Sequence, residues 1–198
     1  MSYLILIILW ALFYSTHTFL ASIKAKEKIK SSLKSGYKWY RLIYTLFSGV
    51  FFLGILIYAA TIPAERLLAS TDLLTYLGYM LATFGTIIIV KSFKNFSGAK
   101  FVGLKPHDDL EENEALIAKG VHAWVRHPIY AGLFLIFLGY LLFAPFLSSL
   151  VHLICLIVYL PIGIYFEEKK LINIYGEVYK KYKNEVPSIF PYKKPKAV

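Results

Sequence analysis

Long apolar stretches alternate with short lysine-rich ones along this chain. Five stretches approach the about 20 apolar residues that a transmembrane helix needs: residues 3–22, 42–62, 73–90, 129–147 and 149–166. The fourth and fifth are separated by almost nothing, and Pro145 with two serines marks a tight hairpin between them. Pro161 is placed to kink the fifth helix. Two longer polar pieces remain. In residues 91–128 the run Asp108-Asp109-Leu110-Glu111-Glu112-Asn113-Glu114 predicts a solvated helix start, with Asp108 or Asp109 as cap ahead of Leu116 and Ile117. In residues 167–198, Leu171, Ile174, Tyr175, Val178, Tyr179 and Tyr182 recur at helical spacing with lysines opposite. This pattern predicts a helix lying at the membrane surface, ended by Pro187, Pro191 and Pro195.

Composition agrees with the pattern. Of 198 residues, 58% are hydrophobic, against about 45–50% in a soluble domain. The net charge of +10 would suit nucleic acid, but the charges lie between apolar spans, so no nucleic-acid partner is expected. Of the 22 lysines and arginines, all but Arg66 fall in loops on one side of the proposed membrane. That side is expected to be cytoplasmic, with the N-terminus outside and the C-terminus inside. The N-terminal stretch lacks a basic leader and a small-residue cleavage site, so it is expected to be an uncleaved span. The single cysteine, Cys155, lies in an apolar run and excludes an intrachain disulfide; no metal site is expected. The expectation is an all-α integral membrane protein, one domain over residues 1–198, in a bacterial inner membrane.

The fourth and fifth spans form a hairpin of helices about 30 Å long. The start of one and the end of the other therefore meet at the cytoplasmic boundary. There the run Arg126-His127-Pro128-Ile129-Tyr130-Ala131-Gly132 comes opposite Glu167-Glu168. Pro128 suits a first helical position. The free N–H groups beside Arg126 favour an anion, whereas two carboxylates near a helix C-terminus call for a compensating cation. The residues fit two readings: a structural Arg–Glu bridge, or a gap that holds a small ligand carrying both a carboxylate and an ammonium.

The ordered motifs Arg126-His127-Pro128-x-Tyr130-x-Gly132, Glu167-Glu168-x-x-Leu171, Tyr175-Gly176-x-x-Tyr179-x-x-Tyr182 and Val186-Pro187 with Pro191 carry a resemblance. Gly120 opens the run into the first of them. Over about residues 95–191 the chain resembles the isoprenylcysteine carboxyl methyltransferase and phospholipid methyltransferase superfamily of integral membrane enzymes. The N-terminal half, with Tyr14-Ser15-Thr16-His17-Thr18-Phe19-Leu20-Ala21-Ser22 and Tyr40-Arg41-Leu42-Ile43-Tyr44, resembles the methanethiol S-methyltransferase-like members. The resemblance implies S-adenosylmethionine as methyl donor, held at the cytoplasmic end of the helix hairpin. It implies a cofactor pocket made by Gly120, Val121, Val125, His127, Pro128, Tyr130, Glu167, Glu168, Tyr175 and Tyr179. No glycine-rich dinucleotide loop follows a strand, which agrees.

Two residues are expected in catalysis. Arg126 would orient the acceptor or the cofactor, and His17, an ionisable group within a span, would lie near the cytoplasmic face. His122 and His127 are further proton acceptors for a thiol or amine. The acceptor is expected to be a small or lipid-like thiol, carboxylate or amine, with membrane lipid as surroundings and no protein partner. Glu185 stands where carboxyl methyltransferases typically carry an arginine, with Lys183 two residues earlier, and this counts against an isoprenylcysteine carboxylate. The alternatives are a sterol-reductase-type membrane oxidoreductase and a non-catalytic membrane protein that keeps the motif as a packing bridge.

Overall fold

In a computed structural model the described residues are 1–95, 97–108, 110 and 115–193. Asp109 and the run 111–114, with the tail beyond Lys193, lie outside them, and with them most of the acidic run. Secondary structure among the described residues is helical apart from one isolated bridge between Arg66 and Phe146. The chain divides into two compact units, Met1–Thr61 with Phe96–Ala115, and Ile62–Asn95 with Leu116–Val198.

The first unit is built on two long apolar helices, α1 (Ser2–Ala21) and α3 (Tyr40–Thr61). They join through α2 (Ile23–Leu33) and a 3-10 turn, Lys34–Trp39. Ser22 starts α2 by accepting the Ala25 N–H at 3.3 Å, which satisfies one of the donors a helix start leaves open. Aromatic side chains make the core. Trp10 is fully buried, with the Phe52 ring edge-on at 5.9 Å. Tyr37 and Tyr40 stack at 5.4 Å, and the Tyr40 hydroxyl donates to the Leu20 carbonyl at 2.7 Å. The short helix α4 (Gly98–Phe101) is pinned to the start of α3. Arg41 donates to the Phe101 carbonyl at 2.6 Å and covers the Phe101 ring at 4.6 Å.

The second unit holds α5 (Asp72–Ser92), α6 (Pro128–Phe143), α7 (Leu147–Tyr175) and α8 (Glu177–Glu185). A glycine seam lets α5 and α6 touch backbone to backbone. A Cβ on Gly85 would lie 2.5 Å from the Gly132 carbonyl oxygen, and one on Gly139 2.5 Å from that of Gly78. Such close approach is how helices pack where apolar burial supplies no drive between them.

Four helices, α1, α3, α5 and α7, are long and apolar enough to cross a membrane; α6 is apolar but only 16 residues long. The fourth stretch stops at Phe143 rather than at residue 147, because Pro145 has no N–H to give a helix and restricts the residue before it. The Pro145 carbonyl instead accepts the Leu67 N–H at 2.8 Å, and Glu65 accepts that of Leu147 at 2.8 Å.

Three further expectations are corrected. The helix of the fifth stretch does not end with its apolar part at residue 166; α7 runs on to Tyr175, so Glu167 and Glu168 sit two turns inside a helix and the end-of-helix penalty does not apply to them. The single surface helix expected from residue 167 is broken at Gly176, whose φ of +56° separates α7 from α8; only glycine adopts such a turn cheaply. The helix expected at Leu116 and Ile117 is absent, and Asp108 instead accepts the Leu110 N–H at 3.0 Å. Leu116 and Ala118 pack on the buried pair Tyr179 and Tyr182, and this burial outweighs the local helical preference.

Candidate active site

The polar residues gather in the second unit, where the chain entering α6 meets the middle of α7 and the strap that follows α8. A 3-10 turn, Gly120–Ala123, leads in. Gly120 has a φ of +66°, which turns the chain into it. Val125 is buried and donates its N–H to the Val121 carbonyl at 3.2 Å. The next two residues pair with the strap like a short ladder. Arg126 N–H donates to the Pro187 carbonyl at 2.8 Å and His127 N–H to that of Ser188 at 3.0 Å. The Tyr182 hydroxyl adds a third tie, donating to the His122 carbonyl at 2.6 Å. Pro128 then opens α6, and no side chain caps that helix start.

Glu168 is the centre of the cluster. Its side chain is 7% exposed and its two oxygens divide three cations between them. Oε1 receives Arg126 Nε at 2.9 Å and Nη2 at 2.6 Å, with His127 Nε2 at 3.1 Å. Oε2 receives Lys183 Nζ at 2.6 Å. The remaining guanidinium nitrogen of Arg126, Nη1, donates to the Lys183 carbonyl at 2.9 Å and to the Val186 carbonyl. Every nitrogen of Arg126 is thus engaged by the protein. The gap expected between Arg126 and Glu168 is closed by direct contact.

Glu167 differs. Its side chain is 45% exposed, and its Oε2 lies 3.5 Å from His127 Nδ1. Both His127 nitrogens therefore face carboxylates, and only the imidazolium can donate from both. Burial alone would lower the His127 pKa, but the bonds to Glu167 and Glu168 outweigh it and hold the pKa above its ordinary 6.5. His122 goes the other way: burial, and then the charge of His127, pull it below 6.5. Tyr130 stacks on the His127 ring at 5.7 Å.

Two buried hydroxyls at the edge of this cluster have no hydrogen-bond partner among the described residues: Tyr179 Oη and Ser188 Oγ. Tyr179 is 1% exposed. Burial, with Glu168 nearby, raises its pKa, so it stays a neutral donor. A buried hydroxyl left unpaired costs about 1–3 kcal/mol, so either of these two would gain from a polar partner.

The structure thus brings together Gly120, Val121, Val125, Arg126, His127, Pro128, Tyr130, Glu167, Glu168 and Tyr179, while Tyr175 closes α7. His17 belongs to the other unit. There its Nε2 lies 2.8 Å from the Tyr44 hydroxyl and its Nδ1 3.2 Å from that of Ser48. Sequence reasoning missed Ser188, which no polar pattern marks. It also noted Lys183 only as the lysine two residues before Glu185, not as a partner of Glu168; spacing on α8 alone does not show which way that lysine turns.

A helical chain with a charged cluster at one end of its apolar helices is the class this arrangement defines. The phospholipid methyltransferase family model matches residues 73–178. The chain belongs to that family. It is 35% identical over 81 residues to a protein-S-isoprenylcysteine O-methyltransferase of Schizosaccharomyces pombe, covering 40% of this chain and 34% of the relative. It is 30% identical over 122 residues to a methanethiol S-methyltransferase of Crocosphaera subtropica, covering 58% and 46%. It is 33% identical over 127 residues to a protein-S-isoprenylcysteine O-methyltransferase of Saccharomyces cerevisiae, covering 62% and 51%. The chain spans about a third to a half of the length of these relatives. No solved structure matches it.

Proposed function

We propose that the protein is an S-adenosylmethionine-dependent membrane methyltransferase, a single functional domain that modifies a small or lipophilic thiol, carboxylate or amine. The lysine asymmetry supports a site on the cytoplasmic face of a bacterial inner membrane. The observation that carries the reading is the cluster of Arg126, His127, Glu167 and Glu168, locked by the strap and bordered by buried hydroxyls with no protein partner.

The residues present suit a ligand with an amino-acid end. Glu167 keeps an exposed carboxylate for an ammonium, and the uncapped start of α6 offers N–H groups to a carboxylate. Tyr179 and Ser188 hold hydroxyls for the remaining polar atoms. When bound, the cofactor supplies an electrophilic sulfonium methyl group. Arg126 acts as a positioning residue: it fixes Glu168, which with Glu167 fixes His127 and the entry to α6. Charge-paired groups held this way need no reorganisation when a ligand arrives. A thiol or amine acceptor must lose a proton. His122, kept neutral by burial and by His127, is suited to receive it, and His17 is a second candidate.

The test is binding of labelled S-adenosylmethionine to purified protein. Glu167→Gln combined with Glu168→Gln is expected to abolish it. Unchanged affinity rejects the site, and no binding by the wild type leaves the packing-bridge alternative, which the full engagement of Arg126 favours.

A further inference from the structure

Beside Glu168, α7 and α8 line an open cavity of about 270 Å³. Five of its six lining residues, Tyr165, Glu168, Lys169, Ile172 and Asn173, come from α7 at the spacing i, i+3, i+4, i+7 and i+8, which is one face of a helix. Lys183 of α8 is the sixth. This face crosses the level where the apolar part of α7 ends and the polar part begins, between residues 166 and 167. Tyr165 and Ile172 give the cavity an apolar wall. Lys169, Asn173 and Lys183 give it three donor groups.

Charge decides what those donors suit. Glu168 is already met by the two-nitrogen contact from Arg126 and by His127. With protonated His127, the cluster of Arg126, His127 and Lys183 carries one more positive charge than Glu167 and Glu168 cancel. Lys183 is the most exposed of these three cations and the one with donors to spare. It spends one of its three N–H donors on Glu168, and its side chain is 43% exposed. Lys169 adds a further charge, and among the described residues neither it nor Asn173 has a protein partner.

We propose that this cavity binds the phosphate of an anionic lipid headgroup, with Lys169 and Lys183 supplying charge, Asn173 a hydrogen bond, Tyr165 contact with the upper acyl or glycerol carbons, and Ile172 contact with the headgroup carbons beyond the phosphate. The apolar wall at the end of a membrane helix is what favours a lipid-borne phosphate over a free one. The proposal uses the membrane reading of α7 and does not depend on methyl transfer.

The experiment measures retention of short-chain phosphatidylglycerol by the full chain in neutral detergent, against phosphatidylcholine of the same chain length. The wild type is expected to prefer phosphatidylglycerol. Lys169→Gln is expected to weaken its retention about fivefold, the effect of one lysine at a lipid surface, and Asn173→Ala to weaken it less. Neither residue touches the Arg126 cluster, so thermal unfolding should be unchanged in both, and Lys183→Met serves as a third variant read at matched folded fraction. Equal retention of the two lipids overturns the proposal, as does unchanged retention in all three variants. Inorganic phosphate competing as well as the lipid does would assign the cavity to free phosphate and overturn the lipid assignment.

Discussion

His17 and His127 are two answers to the same problem, an imidazole placed at an apolar helix. His17, inside α1, is held by the hydroxyls of Tyr44 and Ser48. His127, at the threshold of α6, has a carboxylate at each ring nitrogen. The first arrangement satisfies a neutral ring; the second stabilises a cation. The cost differs as well. Hydroxyls can be buried cheaply once bonded, whereas a buried carboxylate must be paired or it destabilises the fold. This is why the His127 region recruits Arg126, Lys183 and the Val186–Ser188 carbonyls, and the His17 region needs none of that apparatus.

The contrast breaks most visibly at Arg126. Arg126→Ala removes both contacts to Glu168 Oε1 and the donors to Lys183 and Val186. Losing one partner of a buried pair costs about 3–5 kcal/mol. Thermal unfolding in detergent should show a large drop, and a drop no greater than that of an exposed lysine variant would mean the cluster is not a buried pair. In the other unit, Tyr44→Phe removes only a neutral hydrogen bond to His17 and should cost about 1 kcal/mol. If His17 is a proton acceptor, the same variant lowers methyl transfer to a thiol or amine while leaving cofactor binding intact. Equal losses from Arg126→Ala and Tyr44→Phe would erase the distinction between the two regions.

Much of this was legible in the sequence because long-range physics leaves local marks. The apolar stretches located α1, α3 and α5 to within two residues at each end, since a bilayer-length hydrophobic run has few other uses. The pairing of residues 126–127 with 167–168 followed from hairpin length alone. What failed depended on contacts that no local pattern encodes. The apolar span and the helix expected from residue 167 form one continuous α7, because helix geometry continues past the end of an apolar run wherever the residues permit it. The strap was invisible because its work is done by main-chain carbonyls of Val186, Pro187 and Ser188, which carry no side-chain signal. The glycine seam between α5 and α6 is written plainly as two glycines seven apart in each helix, but only a pair of helices reveals that the four meet.

The hydroxyl of Tyr179 sharpens the comparison from the side of function. Unlike Tyr44, which is bonded to His17, Tyr179 is buried with no hydrogen-bond partner among the described residues. Tyr179→Phe should therefore leave stability unchanged or raise it slightly, by about 1 kcal/mol at most. Binding of S-adenosylmethionine should weaken in the same variant. Lost stability with unchanged binding would show the hydroxyl to be a structural group.

The smallest expected effect is a pH dependence confined to one of the two histidine regions. The folded pKa of His127 lies above its ordinary 6.5 because the bonds from Glu167 and Glu168 outweigh burial. A group whose pKa is raised on folding binds its proton more tightly in the native state, so its stabilisation is complete below pH 6.5 and is lost as pH rises through the folded value. The unfolding temperature should then fall from pH 6.5 upward. His127→Gln, which keeps a donor toward the carboxylates but cannot titrate, should flatten that slope while lowering stability at the acid end. A Tyr44→Phe protein, with the His127 cluster untouched, should keep the wild-type slope. A slope that survives in His127→Gln would assign the titration to another group and leave the two imidazoles in the same charge state.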